Sequence, residues 1–197
     1  EKPAEERPPR LRGDNRSGED RIRATLAASA LERGREHPGL EHRQRIERPE
    51  AVDMAALARE VAEDADARAQ ASRVHVEVQV DEGLPPLQGD PFLLRRMLAN
   101  LVDNAIDFSP ADGVVELRLH PEGGELIVEV ADRGAGIPDY AIERVFERFY
   151  SLPRPDGGTR SSGLGLNFVA EIAQLHGGHA RLANREGGGA IATVLLP

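Results

Sequence analysis

Residues 96–108, Arg-Met-Leu-Ala-Asn-Leu-Val-Asp-Asn-Ala-Ile-Asp-Phe, leave the chain few ways to fold around them. Leu94, Met97, Leu98, Leu101 and Ala105 recur at helical spacing and form an apolar stripe that must face a core. Asn100, Asn104 and Asp107 stand at i, i+4 and i+7, so they share another face of the same helix. Two amides and a carboxylate in a row suit a divalent cation and phosphate oxygens better than a plain solvated face. Taken alone, such a stripe is commonly just the outside of a protein. Asp90-Pro91 supplies the start of this helix, with Asp as N-cap and Pro in the first turn.

Two glycine-bearing segments follow. In the first, an alternating strand (Leu126, Val128, Val130) delivers Asp132 to Gly134-Ala-Gly136, and Ile137-Pro138 leads into the next element. Glycines there let the backbone approach a flat ligand, and a carboxylate at a strand end can accept a hydrogen bond from an amino group. The bland alternative is an ordinary Asp/Gly turn. In the second, Ser161-Ser162-Gly163-Leu164-Gly165-Leu166 opens into an amphipathic helix carried by Leu166, Val169, Ile172 and Ala173. Unpaired N–H groups at a helix start, with glycines beside them, form an anion site suited to phosphates.

Taken in order, these three elements resemble the N, G1 and G2 boxes of the GHKL ATPase superfamily. Between them Glu143-Arg-Val-Phe146-Glu-Arg148-Phe149-Tyr150 is similar to the F box of sensor histidine kinases. Residues 137–154 and Ser-Ser-Gly-Leu-Gly-Leu resemble the CreC-type two-component kinases most, and the likeness extends from about residue 50 to the C-terminus. It implies an α/β fold: a two-layer sandwich of the Bergerat type, with a mixed sheet and helices on one face. It also implies ATP and Mg²⁺ as ligands, with ATP held between helices and a lid.

Residue by residue, the resemblance gives Asn104 to Mg²⁺, and Asn100 to phosphate or the metal shell. Asp132 would accept from the adenine amino group. Gly134, Gly136, Ile137 and Phe108 would surround the base. Gly163, Leu164, Gly165 and Leu166 would stand at the phosphates. Arg148 and Arg160 are the candidate cations for the transferred phosphoryl group. Phe146 and Phe149 would anchor the lid or meet a neighbouring hairpin. Asp107 is expected at the nucleotide by its position, but it departs from the lysine or arginine that sensor kinases often carry there, which puts a basic phosphate contact in doubt. In gyrase, MutL and heat-shock chaperone relatives the first N-box residue is a glutamate that activates water. Asn100 stands in its place, and an amide takes no proton at neutral pH. That favours donating phosphoryl to an acceptor over hydrolysis.

Composition narrows the remaining choices. The chain has 197 residues, 40% hydrophobic and 30% charged, a formal charge of −9, 4% aromatics and no cysteine. The length suits one domain of roughly 150 residues plus an extension, large enough to hold a core without disulfides. No apolar run approaches the roughly 18 residues of a membrane span, and no signal-peptide pattern is present. The acidic balance and scarce aromatics argue against a nucleic-acid surface. The expected location is the bacterial cytoplasm, as the cytoplasmic part of a sensor whose membrane anchor would lie elsewhere.

Residues 1–48 read differently from 49–197. They are rich in Arg, Glu and Pro, and beyond one short helix marked by Ile22, Leu26 and Leu31 they read as a charged or disordered linker. A complete histidine kinase carries a dimerisation and phosphoacceptor hairpin upstream, with His-Glu followed by a basic residue and proline. None of His37, His42, His75, His120, His176 and His179 has that context. The expectation is therefore an ATP-binding half whose histidine acceptor lies on another segment or subunit; dimerisation is expected only through that hairpin. A native linker, a shortened chain and a misread frame all stay open as the origin of 1–48.

From residue 51 the pattern predicts a strand over 51–54, a helix over 55–69 with Leu57, Val61 and Ala65 inward, and a strand over 74–80. Strands 114–120 and 125–131 should form a hairpin closed by Pro-Glu-Gly-Gly. A short helix over 138–148, a lid over 149–162, the G2 helix ending at Gly177-Gly178, and a terminal hairpin of 179–185 with 190–196 complete the layout. Three functions fit: a sensor histidine kinase catalytic domain serving a response regulator, an anti-sigma-type serine kinase of the same fold, or a non-catalytic ATP-binding interaction module. The F box argues against the second.

Overall fold

A computed structural model of the chain describes residue 46 and residues 48–153 and 162–197, all within the unit that runs from 43 to 197. The expectations for residues 1–45, and for Arg160 and the centre of the lid, lie outside the described residues.

Strand β1 (Glu50–Val52) pairs antiparallel with β3 (Leu87–Gly89) in a two-stranded sheet. β1 stops two residues sooner than its apolar pattern predicts, because Asp53 turns its carboxylate onto the Ala56 N–H (2.9 Å) and caps helix α1 (Met54–Ala71). The cap draws Met54 out of the expected strand and into the helix. Met54, Leu57, Ala58 and Val61 are buried along one side of α1, which packs on β2 (His75–Val80) and on helix α2 (Pro91–Phe108). Ala65, expected inward, is half-buried.

Helix α2 has the predicted bounds. The Asp90 carboxylate accepts from Phe92 N (2.9 Å) and Leu93 N (3.1 Å), and Pro91 gives up a donor that the first turn leaves unpaired anyway. Its stripe, Leu94, Met97, Leu98 and Leu101, is buried to 2% exposure or less. Across the helix pair, Arg68 of α1 reaches Asp103 at 3.0 Å and also pairs with Asp107.

Among the described residues the main sheet has five strands in the order β2-β4-β5-β7-β6, made from β4 (Val114–Glu122), β5 (Glu125–Ala131), β6 (His179–Asn184) and β7 (Ala190–Leu196) with β2. β2 and β4 run parallel, and every other neighbouring pair is antiparallel. The register aligns Val78, Leu117, Val130, Ala192 and Leu182 in one row across all five strands, on the face the helices cover. The next row, Gln79, Arg118, Glu129, Thr193 and Arg181, faces the other way. The result is the expected two-layer sandwich with a mixed sheet.

The β4–β5 turn is tighter than Pro-Glu-Gly-Gly suggests. Pairing continues through Pro121↔Leu126 and Glu122↔Glu125, and Gly123 and Gly124, with φ of 62° and 90°, make the turn alone. Proline is tolerated inside β4 for a local reason. The Leu119 carbonyl accepts from Asp81 N–H, so Pro121, two residues on, turns its missing N–H to the side where β2 has already ended.

The helix expected over 138–148 shrinks to one turn, α3 (Asp139–Ile142). Beyond it, bonds such as Arg144 N to Ala141 O and Glu147 N to Arg144 O span three residues and form a run of turns. Phe149, at φ +64°, then sends its N–H to the Gly163 carbonyl (2.9 Å). Ala141 and Val145 are buried beside Ile137, and the chain beyond them leaves the helical path to bring Phe149 N–H onto the Gly163 carbonyl.

Helix α4 (Gly165–Leu175) ends at the predicted glycines, with Gly178 N–H on Ala173 O (2.8 Å) and Gly177 N–H on Gln174 O (3.0 Å). His176, read from sequence as part of a solvated turn, is instead a half-buried bridge. Its Nε2 accepts the Asp90 N–H at 3.1 Å, and its Nδ1–H donates to Ile172 O at 2.8 Å. Both bonds require a neutral ring of one tautomer. Burial pulls its pKa below the ordinary 6.5, against the opposing pull of the Ile172 carbonyl and the Asp90 carboxylate.

The unfolded chain therefore binds this proton more readily than the folded one, so the contribution is complete above pH 6.5 and is lost as pH falls below it. Urea titrations between pH 7.5 and 5 should show stability falling on the acid side, and His176→Gln, which removes the titrating ring, should flatten that part of the profile.

Candidate functional site

Helix α2, the end of β5 and the start of α4 surround an open-sided cavity with about 840 Å³ of empty space, open solvent included. At the end of β5, Asp132 N–H bonds Ala190 O at 2.9 Å and so extends the strand pairing by one residue. The Asp132 side chain is 7% exposed. Its Oδ1 accepts from Gly134 N (2.8 Å) and Ala190 N (3.2 Å), while Oδ2 accepts nothing from the described residues. Asp132 lines the cavity, and a carboxylate fixed by two backbone donors on one oxygen keeps the other able to accept from a ligand amino group. Gly134 is where the loop passes α2: a Cβ there would stand 2.2 Å from the Phe108 carbonyl oxygen. Phe108, Gly136 and Ile137 all line the cavity, as the base contacts expected from sequence should.

A different chemistry lies along α2. Asn100 is 8% exposed, and the Nδ2 atoms of Asn100 and Asn104 are both buried without a hydrogen-bond partner. An unmade buried donor costs about 1–3 kcal/mol, which ligand oxygens would recover. Facing them is the N-terminus of α4, where Leu164 occupies the cap position without a side-chain acceptor for the first N–H groups. A Cβ on Gly165 would come to 3.6 Å from Asn104 Nδ2 and 3.9 Å from Asn100 Oδ1, filling the gap between helix end and amides. Unpaired donors on both sides of a gap fit phosphate oxygens. Mg²⁺ fits the same place through the Asn104 side-chain oxygen. Among the described residues no group of three or more His, Cys, Asp or Glu could hold a metal, so such a cation would draw most of its oxygens from the ligand.

Other sequence candidates are placed differently. Asp107 shares the polar face of α2, but its carboxylate pairs with Arg68 and lies outside the cavity lining. Arg148 pairs with Glu171 of α4 at 2.6 Å, its side chain 54% exposed, and also lies outside the lining. Leu166 and Gly163 line the cavity. Gly163, at φ +66°, packs against the Phe149–Tyr150 peptide, where a Cβ would come within 2.6 Å of a backbone carbon. Phe146 packs beside Ile137, Ala141 and Val145, and Phe149 is 76% exposed.

Sequence reasoning missed several supports. Asn167 Nδ2 donates to Phe146 O (3.0 Å), and Asn184 holds Ile137 by two backbone bonds. Arg185 reaches both Asp132 O (3.3 Å) and Glu116. None belongs to a periodic pattern or glycine motif, so no local signal marks them.

A family model described as histidine kinase-, DNA gyrase B- and HSP90-like ATPase matches residues 89–197, the span that begins just before α2 and includes the whole cavity. The chain belongs to this ATPase family. Sensor protein CreC of Escherichia coli (strain K12) is 43% identical over 157 residues, covering 80% of this chain and 32% of that protein. The alginate biosynthesis sensor protein KinB of Pseudomonas aeruginosa is 36% identical over 130 residues, covering 66% and 21%. The chain thus spans a third or less of the length of these curated relatives. Among solved structures, the mycobacterial sensor histidine kinase MprB superposes with a TM-score of 0.65 at 32% identity, over 76% of this chain and 97% of that one. The ATP binding domain of PrrB from Mycobacterium tuberculosis gives 0.58 at 31% identity, over 76% and 96%. In this ATPase family the cavity is a nucleotide site.

Two consequences are measurable by calorimetry with ADP. Asp132→Asn keeps the Oδ1 acceptor but turns the free oxygen into a donor, so affinity should fall by up to about a hundredfold, the equivalent of about 1–3 kcal/mol, with little change in melting temperature. Gly165→Ala should leave the fold intact, because its Cβ meets only ordinary contacts, yet should weaken ADP binding by occupying the gap. Gly163→Ala should instead lower the melting temperature, since both its φ and its neighbours exclude a side chain.

Proposed function

We propose that this chain is the ATP-binding catalytic domain of a two-component sensor histidine kinase. It would transfer the γ-phosphoryl group of ATP to a histidine nitrogen on a dimerisation and phosphoacceptor hairpin, supplied by another segment or subunit, for relay to a response regulator. The observation that carries this reading is the pair of unpaired Asn amides facing the bare N-terminus of α4, with an amide, Asn100, where a water-activating glutamate would stand. Asp132 is the sole carboxylate among the described residues that line the cavity, and its Oδ1 is committed to Gly134 and Ala190. A site with donors for phosphate and an amide in place of the base for water suits transfer to an acceptor.

Each residue then has a defined task. Asp132 accepts from the adenine amino group. Phe108, Gly134, Gly136 and Ile137 enclose the base. Asn100 and the backbone N–H groups at Gly163, Leu164 and Gly165 hold phosphate oxygens, with Leu166 packing behind them. Asn104 ligates Mg²⁺, which when bound neutralises phosphate charge. Arg148 and Arg160 are the candidate cations for the moving phosphoryl group, and Arg148 must leave Glu171 to serve. Asp107 is the exception: tied to Arg68 and outside the cavity lining, it has no task at the nucleotide in this arrangement. The domain would work in the cytoplasm; among the described residues no helix is long and apolar enough to cross a membrane.

The test is to incubate the chain with γ-labelled ATP, Mg²⁺ and a separately produced phosphoacceptor hairpin from a sensor kinase. Acid-labile label on the hairpin histidine is the expected result. Tight ATP binding with no transfer to any such hairpin would leave a binding module and reject the kinase reading. Asn104→Ala should remove the Mg²⁺-dependent part of the affinity, a loss of roughly tenfold or more, while Mg²⁺-free ADP binding changes less.

A further inference from the structure

The segment that forms the base side of the cavity is held in place by a side chain that no motif includes. Asn184 ends β6, paired in register with Ala190. Its Oδ1 accepts the Ile137 N–H at 2.6 Å, and its Nδ2 donates to the Ile137 carbonyl at 2.9 Å. The amide therefore mimics a neighbouring strand, satisfying both backbone groups of one residue of the Gly134–Pro138 loop. Ile137 is 8% exposed and lines the cavity. The residue before it has φ +75°, and a Cβ on Gly136 would stand 2.7 Å from Asn184 Oδ1, so the loop and the amide approach as closely as glycine permits. The same β6–β7 hairpin carries Ala190, whose N–H fixes the Asp132 carboxylate. One hairpin thus holds both Asp132 and Ile137, two residues that line the cavity.

We propose that Asn184 is a positioning residue for base recognition: it fixes the distance between the Ile137 wall and Asp132, and so determines which purine the cavity takes. This rests on the nucleotide reading of the cavity. Asn184 itself lies at the exposed edge of the sheet, so trimming it opens no core void and need not cost much stability. The role requires a donor and an acceptor on one planar group. Aspartate keeps only the acceptor and sets a negative charge against the Ile137 carbonyl; alanine keeps neither.

The test is calorimetric binding of ADP and of GDP to the full chain, with melting temperatures, for the wild type, Asn184→Ala and Asn184→Asp. ADP affinity should fall roughly tenfold in Asn184→Ala, the range for two partly exposed hydrogen bonds, and the preference for ADP over GDP should narrow. Asn184→Asp should fall at least partway in the same direction, and melting temperatures should stay close to wild type. Unchanged affinity and preference in Asn184→Ala would overturn the proposal. So would an equal loss for both nucleotides together with a lower melting temperature, which is the signature of a merely structural contact. A wild-type chain that binds neither nucleotide would overturn the nucleotide reading and this inference with it.

Discussion

Helix α2 has to satisfy two environments that ask opposite things of it. One side buries Leu94, Met97, Leu98 and Leu101 against the sheet and its neighbours. Another keeps two amide groups buried and unpaired, at a cost the rest of the helix must offset. Truncating a fully buried leucine such as Leu98 typically costs about 2–5 kcal/mol, and the stripe contains several such residues, so packing outweighs the orphaned amides comfortably. Holding polar donors unsatisfied is affordable only on a helix whose position is settled by other means. The Asp90 cap, the Asp90–His176 bond and the Arg68 pairs all help settle it.

At the other part of the cavity, the same logic runs through backbone groups. Asp132 would be an expensive buried charge if it stood alone. Two N–H donors take one of its oxygens, its own N–H continues the sheet onto Ala190, and its carbonyl receives Arg185. Arg185 is in turn paired with Glu116, which also takes Arg133. This arrangement leaves one oxygen able to accept, fixed by β4, β5 and the β6–β7 hairpin together. The start of α4 is anchored differently, by Asn167 on Phe146, Glu171 on Arg148 and Gly163 on Phe149. Of these three, the Arg148–Glu171 pair holds through an exposed arginine side chain.

Much of this was legible from residue pattern. The bounds of α2 follow from Asp90-Pro91 and the heptad-like apolar spacing, both local, and the glycine motifs found the loops at Asp132 and Gly165. Local patterns failed where a distant partner competed. Asp107 reads as one of three residues on a polar face, yet Arg68, far back in the chain, takes its carboxylate. Arg148 reads as a free cation and is drawn to Glu171. His176 reads as a turn residue and is fixed by Asp90, whose N–H lies on another helix. The stretch after Ile142 reads as helix, but it runs in turns and ends with the Phe149 N–H on the Gly163 carbonyl.

By itself the sequence determined what depends on neighbours along the chain: the helix caps, the alternating strands and the glycine turns. Only the tertiary structure decided which residues face one another, because that depends on strand order and register. Placing β7 between β5 and β6 brings Ala190 to Asp132 and Asn184 to Ile137 across gaps of 58 and 47 residues. No local propensity encodes a hydrogen bond closed over such distances; it exists because the sheet buries its apolar rows in only one register.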